Sequence, residues 1–351
     1  MTRLIPKITI GGRKVDFITA GYVQPGGIAA ASLQFQMPTY EETRKLWNQE
    51  VTFFVDKNDS KPIFRGWINR TRKTDNYIDV FAEDVIGYMV RGGDSHIAEL
   101  TLDNKNNIDG LTVGAAIKKT IELANLDDKV GTDYIGDTSP RIGSVQKSPL
   151  RGTLDVITII KELINRPINL ADQDLPRPNI IKVMDDGEKS QLYIELQADP
   201  VTDPIKHIYT SKDNITSLNV IDRKVPTVII VSGKGGVSGQ FIHDGALAAL
   251  DKSYLRVTNE NLESPAACKA FAARLFQANL EDRYQYGMSV TDGYYLNQND
   301  IVKVTTDSDD YSGNYRITAK RISISPSQYS VGITINKKAP TLAEYINSRD
   351  N

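Results

Sequence analysis

Cysteine is almost missing from this chain of 351 residues. Cys268 stands alone, which excludes an internal disulfide framework and any zinc site built from several cysteines. Histidine is scarce as well. His96, His207 and His243 are scattered, so most metal or triad chemistry lacks its raw material. Neither sign of charge is in excess: 42 basic and 44 acidic residues leave a formal net charge of -2. That excludes a strongly basic nucleic-acid binder, though not a local basic patch. Long apolar runs are absent too. The most apolar stretch, Val225 to Val231, is far short of the roughly 20 residues of a membrane helix. Direct membrane insertion is therefore not expected. Met1-Thr2-Arg3-Leu4-Ile5-Pro6-Lys7 turns polar before an apolar segment forms, so no secretory signal is expected.

What is present is ordinary for a globular chain: 40 % hydrophobic and 25 % charged residues, with a length that fits about two to three domains. The first stretch reads as β. Ile8 and Ile10 run into the turn Gly11-Gly12, and Lys14 to Ile18 continues; Gly26-Gly27 breaks the chain again. Leu33, Phe35 and Met37 alternate with Ser32, Gln34 and Gln36, the period of a half-buried strand, which Pro38 ends. Thr39-Tyr40-Glu41-Glu42 has the form of a capping box and predicts a short helix to about Trp47. Val51 to Val55, Ile63 to Thr71 and Tyr77 to Phe81 are three further strands, spaced as in a barrel or sandwich.

The middle changes period. Val113, Ile117, Ile121 and Ala124 fall at helical spacing. Thr153 is placed to cap a second helix, on which Val156, Ile160 and Leu163 share a face and beyond which lies Pro167. Leu192, Ile194 and Leu196 alternate as a strand, and residues 171–178 read as a surface loop. The region from about 94 to 205 is thus mixed α and β, inserted between β regions.

The last third returns to β. Val225 to Ser232 is a strand. Ser264-Pro265 opens a helix with Cys268, Phe271, Leu275 and Ala278 as its apolar stripe. Strands follow at about 285–292, 300–305, 314–325 and 328–336. From Lys337 onward, Leu342, Tyr345 and Ile346 make a short amphipathic piece. A weak internal repeat links the two ends. Val51 to Val55, Gly66-Trp67-Ile68 and Tyr77 to Phe81 follow the same order as Asp300 to Val304, Gly313-Asn314-Tyr315-Arg316-Ile317 and Tyr329 to Ile333. Two unrelated antiparallel meanders would leave a similar pattern.

Motifs that could carry chemistry fail on context. Ser232-Gly233-Lys234-Gly235-Gly236-Val237-Ser238-Gly239 follows a strand, as a phosphate loop does, but Gln240-Phe241-Ile242 stands where Lys-Thr and a helix should begin. Asp307 to Gly313 offers carboxylates, but Ser312 occupies the glycine position of a calcium loop and Thr318 the place of its bidentate Glu. Glu195, Asp199 and Asp203 are carboxylates with no facing partner set by the sequence. Ser238 and Ser264 lack a histidine context, and His96 sits in a predicted loop. Cys268 falls on the apolar face of its helix, a core position. Arg70, Arg72 and Lys73 read as a solvated face. No catalytic, cofactor-binding or metal-binding residue is assigned and no cofactor is expected.

The order of elements resembles the hub proteins of phage tails and related contractile injection machines. The likeness rests on Ala30 to Phe35, Val51 to Val55, Ile63 to Ile68, and Tyr77 to Asp84, where a strand runs into an acidic turn. It continues through Thr112 to Leu126 and Thr153 to Asn165 into Gly293, the turn Leu296 to Asp300, Gly313-x-Tyr315-x-Ile317 and Tyr329. Asn299 departs from the pattern, since relatives often carry Gly before that Asp. The resemblance implies an α+β fold: two antiparallel, tail-tube-like β-barrels with an inserted mixed α/β region. The expected division is residues 1–93 for the first barrel, 94–205 for the insertion, 206–240 with 285–336 for the second barrel, 241–284 for a helical insertion and 337–351 for a tail too short for a fused spike or enzyme. It also implies a non-enzymatic homotrimer in the virion tail, assembled in the host cytoplasm. Such a hub adapts a sixfold tail tube or distal tail ring to a threefold spike or central fibre. Its channel would pass a tape-measure protein, and DNA in transit. Two other readings stay open on the residues alone: a β-rich carbohydrate-binding protein or glycoside hydrolase, and a nucleotide binder using Lys234.

Overall fold

The computed structural model describes residues 4–26, 29–39, 45–90, 97–100, 108, 110–135, 152–165, 179–221, 226–242, 252–260, 262–283, 285–307, 311–326 and 328–337. In the first region β1 (Lys7–Ile10) and β2 (Arg13–Val15) form a hairpin across Gly11 and Gly12. Both glycines have positive φ, 54° and 78°, as a tight hairpin turn requires. Then come β3 (Thr19–Gln24), β4 (Ser32–Pro38), β5 (Glu50–Phe54), β6 (Phe64–Lys73) and β7 (Tyr77–Glu83). Alternation in β4 is as expected, with Leu33, Phe35 and Met37 buried and Ser32 and Gln34 exposed. Residues 40–44, where the capping box would act, lie outside the described residues.

The acidic turn after β7 is a helix cap. Asp84 Oδ1 accepts from the N–H groups of Ile86 (3.0 Å) and Gly87 (3.2 Å) at the start of α1 (Val85–Val90). Burial pushes its carboxyl up to about 7 against the pull of those backbone donors.

The middle region is mixed, as its periodicity predicts: β8 (Ile97–Leu100), α2 (Val113–Leu123), β9 (Val130–Gly131), β10 (Gly152–Asp155), α3 (Val156–Asn165), β11 (Asn179–Asp185) and β12 (Ser190–Leu196). Thr112 Oγ1 caps α2 by accepting from Ala115 N–H at 3.1 Å, and Asn125, at φ 53°, follows its end. The expected cap at Thr153 is corrected. Thr153 lies in β10, paired with Glu99 of β8, and Asp155 caps α3 through Thr158 N–H (2.9 Å). The strand reaches two residues further than helical periodicity alone indicates. Val113, Ile117, Ile121, Val156, Ile160 and Leu163 form a core that Trp67 and Met89 join from β6 and α1. His96, Pro167 and the loop at 171–178 lie outside the described residues.

The last region holds β13 (Ile205–Thr210), β14 (Ile215–Ile221), β15 (Val228–Ser232), β16 (Ser238–Ile242), β17 (Tyr254–Thr258), α4 (Pro265–Arg283), β18 (Gln285–Val290), β19 (Ile301–Thr305), β20 (Gly313–Ile324) and β21 (Tyr329–Lys337). Ser264 Oγ accepts from Ala267 N–H (3.2 Å) and Pro265 takes the first helical position, as predicted. β15 lies between β16 and β17 in a separate sheet packed on α4. The buried line on α4 is Cys268, Ala272 and Phe276, with Phe271 and Leu275 at its margin. Cys268 is in the core, as expected. The amphipathic piece beyond Lys337 lies outside the described residues.

Strands from both ends of the chain share one thirteen-stranded, mainly antiparallel sheet. Its order is β14-β18-β21-β20-β3-β4-β7-β6-β5-β1-β2, with β19 also beside β20 and β13 parallel to β19. Among the described residues no set of strands closes into a barrel. One core beneath this sheet joins Phe35, Phe53 and Ile68 to Met288, Tyr315 and Ile333. Among the described residues no helix is long and apolar enough to cross a membrane.

Candidate functional site

The sheet contains the same five-strand unit twice. β3-β4-β7-β6-β5 and β14-β18-β21-β20-β19 are paired in the same spatial order, and each set also runs in the same chain order. Both contain a bulge in the fourth strand of the path, between Ile68 and Arg70 in β6 and between Ile317 and Ala319 in β20. Setting the bulges equal brings the turns before β5 and β19 into correspondence. Asn48 N–H donates to Ile68 O (3.0 Å) and Ile68 N–H to Gln49 O (3.0 Å). Asn299 N–H donates to Ile317 O (2.8 Å) and Ile317 N–H to Asp300 O (2.9 Å). Asn48 and Asn299 both have positive φ, 58° and 76°. The repeat seen in the sequence therefore reflects one backbone design used twice. Its alignment needs one correction: Gly66 faces Val51 and Tyr315 faces Val302, so Tyr315, not Gly313, stands where Gly66 does.

Where the units differ, the differences are local. Asn299 is buried, and its side chain binds the exit of β12: Oδ1 accepts from Ala198 N–H and Nδ2 donates to Glu195 Oε1, both at 2.7 Å. Glycine, expected at this position, would supply the backbone angle without the tie. Arg65 makes the matching link from the first unit, pairing with Glu50 at 2.6 Å and with Asp185 at the end of β11. Thus the middle region is fastened to both units by buried or half-buried polar contacts.

Eight strands, β6-β7-β4-β3-β20-β21-β18-β14, form a continuous antiparallel ribbon made of two four-strand blocks. The blocks meet where β3 pairs with the C-terminal half of β20, Tyr22 opposite Ile322 and Gln24 opposite Lys320. Lys320 is buried there, donating to Tyr294 O (2.8 Å) and Leu296 O; burial pulls its ammonium down to about 7. One face of the ribbon is the core. The other is polar, and one cross-strand row reads Ser217, Ser289, Gly332, Arg321, Val23, Ser32 and Glu83. A shallow concavity of about 390 Å³ lies on this face over the β3–β20 junction, lined by residues such as Gln34, Gln36, Ser323 and Ser330.

The residues weighed for chemistry are taken up structurally. Lys234 is in an exposed 3-10 turn between β15 and β16, with Glu263 at 3.2 Å, and no helix follows it. Glu195 pairs with Lys182 at 2.7 Å, while Asp203 Oδ2 and Asp199 Oδ1 accept backbone N–H groups within their own turn. At the β19–β20 connection Ser312 Oγ accepts from Thr306 N–H at 3.0 Å; residues 308–310 lie outside the described residues, as does His243. Arg70 covers the Phe81 ring at 4.0 Å, and Arg72 and Lys73 are exposed. Among the described residues no cluster of His, Cys, Asp and Glu could hold a metal. The candidate site is therefore the polar ribbon face and its two ends. Sequence reading missed β14 at one of those ends, and β13 beside β19, because their apolar residues are unevenly spaced and form no alternating face.

No family model and no curated protein matches the chain. Solved structures do. A tail protein from Neisseria meningitidis MC58 superposes with a TM-score of 0.67 at 13 % identity, covering 95 % of this chain and 98 % of that one. The fold is that of phage tail proteins. The 43 kDa tail protein of prophage MuSo2 from Shewanella oneidensis gives 0.63 at 11 % identity, covering 95 % and 98 %. An E. coli protein, c3393, gives 0.57 at 12 % over 96 % and 80 %; it is described as a type VI secretion component similar to the bacteriophage T4 tail proteins gp27 and gp5. The tail-protein fold thus spans nearly the whole chain.

Proposed function

We propose that the protein is a structural, non-enzymatic component of a phage-type tail: a trimeric hub between a sixfold tube and a threefold spike or fibre. The observation that carries this reading is the doubled strand unit. Three copies of a chain with two equivalent units present six, which matches a hexameric ring on one side while leaving true threefold symmetry on the other. In this proposal residues 1–93 and the second unit form tube-like barrel walls. Residues 94–205 are an α/β insertion, and the second insertion starts at 222 rather than at the expected 241 and runs to 284, because β15 and β16 pack on α4 rather than on the main sheet. The polar ribbon face lines the channel, through which a tape-measure protein and DNA would pass without sequence-specific contact. The place of action is the virion tail, and the neighbours are a tube or distal tail ring and a spike or central fibre. The tail-protein fold and the engagement of Glu195, Asp199 and Asp203 in local contacts support a non-catalytic role.

Light scattering over a range of concentrations, followed by electron microscopy, tests the reading. The expected result is a mass of three times 39.0 kDa and six similar densities around a pore. A persistent monomer or dimer overturns it.

A further inference from the structure

Lys320 is a buried lysine, 3 % exposed, on the core face of β20 where β3 joins it. Its Nζ holds the connection between β18 and β19, residues 291–300, by donating to the carbonyl oxygens of Tyr294 (2.8 Å) and Leu296. Two acceptors match the two N–H groups of a neutral amine. An ammonium has three, and beyond the carbonyls Nζ meets only the Tyr22 ring, with the centroid at 5.8 Å. Among the described residues no carboxylate reaches ion-pair distance of Nζ; Asp300 acts on it only through its charge. The fold itself does not require a cation here, since the matching residue of the first unit is Thr71.

The connection is fastened at both ends. At its start Thr291 N–H donates to Asn214 O (3.0 Å) and Tyr209 Oη to Asp292 O (3.4 Å). At its end Asn297 N–H donates to Asp300 Oδ2 (2.7 Å), and Asn299 is tied to Ala198 and Glu195. Between these anchors Tyr294 and Leu296 rest on the main core over Lys320. Gly293, at φ 91°, stands between the first anchor and this segment, where a hinge is needed.

We propose that residues 293–296 form a proton-controlled strap, closed over Lys320 while its amine is neutral and lifted about Gly293 when the amine takes up a proton. A buried ammonium with an unmet N–H is costly, and lifting lets water reach it. Burial pulls the amine down to about 7 in the closed form, against 10.5 in water. The lifted form therefore holds the proton more tightly. From 10.5 down to about 7, each unit of falling pH favours lifting by about tenfold, and below that the gain levels off. The other groups facing the strap do not reverse this. Gln24 and Ile333, the neighbours of Lys320 in β3 and β21, carry no charge. Burial holds the phenols of Tyr22, Tyr294, Tyr209 and Tyr329 protonated. On the outer side His207 Nδ1 lies 2.8 Å from Tyr295 Oη, and its Nε2 lies 3.5 Å from Asp292 Oδ2. A proton on His207 strengthens the hold on Asp292, which lies before the hinge. The lifted strap presents Tyr294 and Leu296 to solvent, an apolar pair available on the acid side alone. The device belongs to the single chain and does not rest on the trimeric reading.

The test is hydrogen exchange of the whole protein from about pH 9 to 6, with and without low urea, corrected for intrinsic rates and with β21 as internal reference. Residues 293–297 are expected to exchange at least tenfold faster than β21, without urea dependence. Their protection is expected to fall about tenfold per unit between pH 9 and 7 and then to level off. NMR of Cε-labelled lysine, with the Lys320 signal assigned by its absence from K320M, is expected to show the amine titrating near 7. K320M, and K320T, which copies Thr71, are expected to flatten the slope in the strap. Strap exchange that shares the urea dependence of β21 overturns the proposal, because it reports global unfolding. Protection that stays constant between pH 9 and 7, a Lys320 that titrates in the ordinary lysine range, or a slope that persists in K320M and K320T overturns it as well. Should neither variant fold, the wild-type slope and its urea dependence decide alone.

Discussion

The two strand units share a backbone frame and differ in what surrounds it. In the first, β3 is sealed by β20, so Ala20, Tyr22 and Gln24 are all buried. In the second, β14 has the same place in the order and lies largely exposed. Both units turn into the last strand of their path, β5 or β19, through an asparagine at positive φ, yet Asn48 is exposed and Asn299 is buried against β12. A duplicated fold thus fixes hydrogen-bond geometry first; side chains then specialise according to which neighbour each copy meets. The comparison can be broken experimentally at several points.

The largest effect is expected at Gly66. A Cβ there would overlap the Glu83 carbonyl oxygen and the Phe64 ring, whereas Tyr315 fills the matching place in the second unit. Gly66→Ala should lower stability by on the order of 5 kcal/mol, or prevent folding, because the obstacle is backbone. Urea unfolding measures it, and a loss under 1 kcal/mol (about the cost of an ordinary substitution) would remove the requirement for close strand approach.

Next comes pH. Lys320 sits at the sealed junction, and its counterpart Thr71 at the uncovered edge. From about 7 to 10.5 the unfolded chain carries a proton on Lys320 that the folded chain lacks, so stability rises with pH across that window. Asp84 acts oppositely: from 3.8 to about 7 the folded chain holds a proton that the unfolded chain has released, so stability falls as pH rises. Each change is on the order of 4 kcal/mol, which puts a minimum near neutrality from these two groups. Lys320→Met should flatten the alkaline limb and Asp84→Asn the acid limb, as read from unfolding midpoints across pH. Unchanged limbs would show that water reaches both groups.

The smallest effect separates the asparagines. Asn299→Ala loses two side-chain bonds and places alanine at positive φ, a cost of about 2–3 kcal/mol. Asn48→Ala bears only the backbone strain, about 1 kcal/mol. Glycine at each position sharpens the contrast: Asn48→Gly should be near neutral, while Asn299→Gly should still lose the bonds to Ala198 and Glu195. Equal losses at the two sites would mean the tie to β12 contributes nothing.

Much of the sheet was legible because burial on one face imposes period two. Leu33, Phe35 and Met37, or Val302 and Val304, announce their strands directly. The repeat was visible in the order of strands, yet its register was misread at Gly313. The bulges that set the register, at Ile68–Arg70 and Ile317–Ala319, leave no mark in hydrophobic pattern. The kinship of Asn48 and Asn299 was hidden for a similar reason: what they share is a backbone angle, while Gln49-Glu50 and Asp300-Ile301 differ around them. Thr153 was misplaced because threonine serves equally well as a cap and in a strand, and only the pairing with Glu99 decides. The free edge was the least legible part. Thr216, Ser217 and Asn219 separate Ile215, Leu218 and Val220 at uneven spacing, so β14 offers little periodicity.

The second insertion leaves and rejoins the sheet at facing positions, since Ile221 and Gln285 are paired neighbours in β14 and β18. The excursion between them takes the place a hairpin turn would fill, and its described strands β15 to β17 and α4 have a core of their own. The pairing of Ile221 with Gln285 does not itself set the length of that excursion. Lineages sharing this scaffold are free to enlarge, shrink or exchange the excursion while the wall stays intact, and an engineer could seat a foreign domain there by the same route.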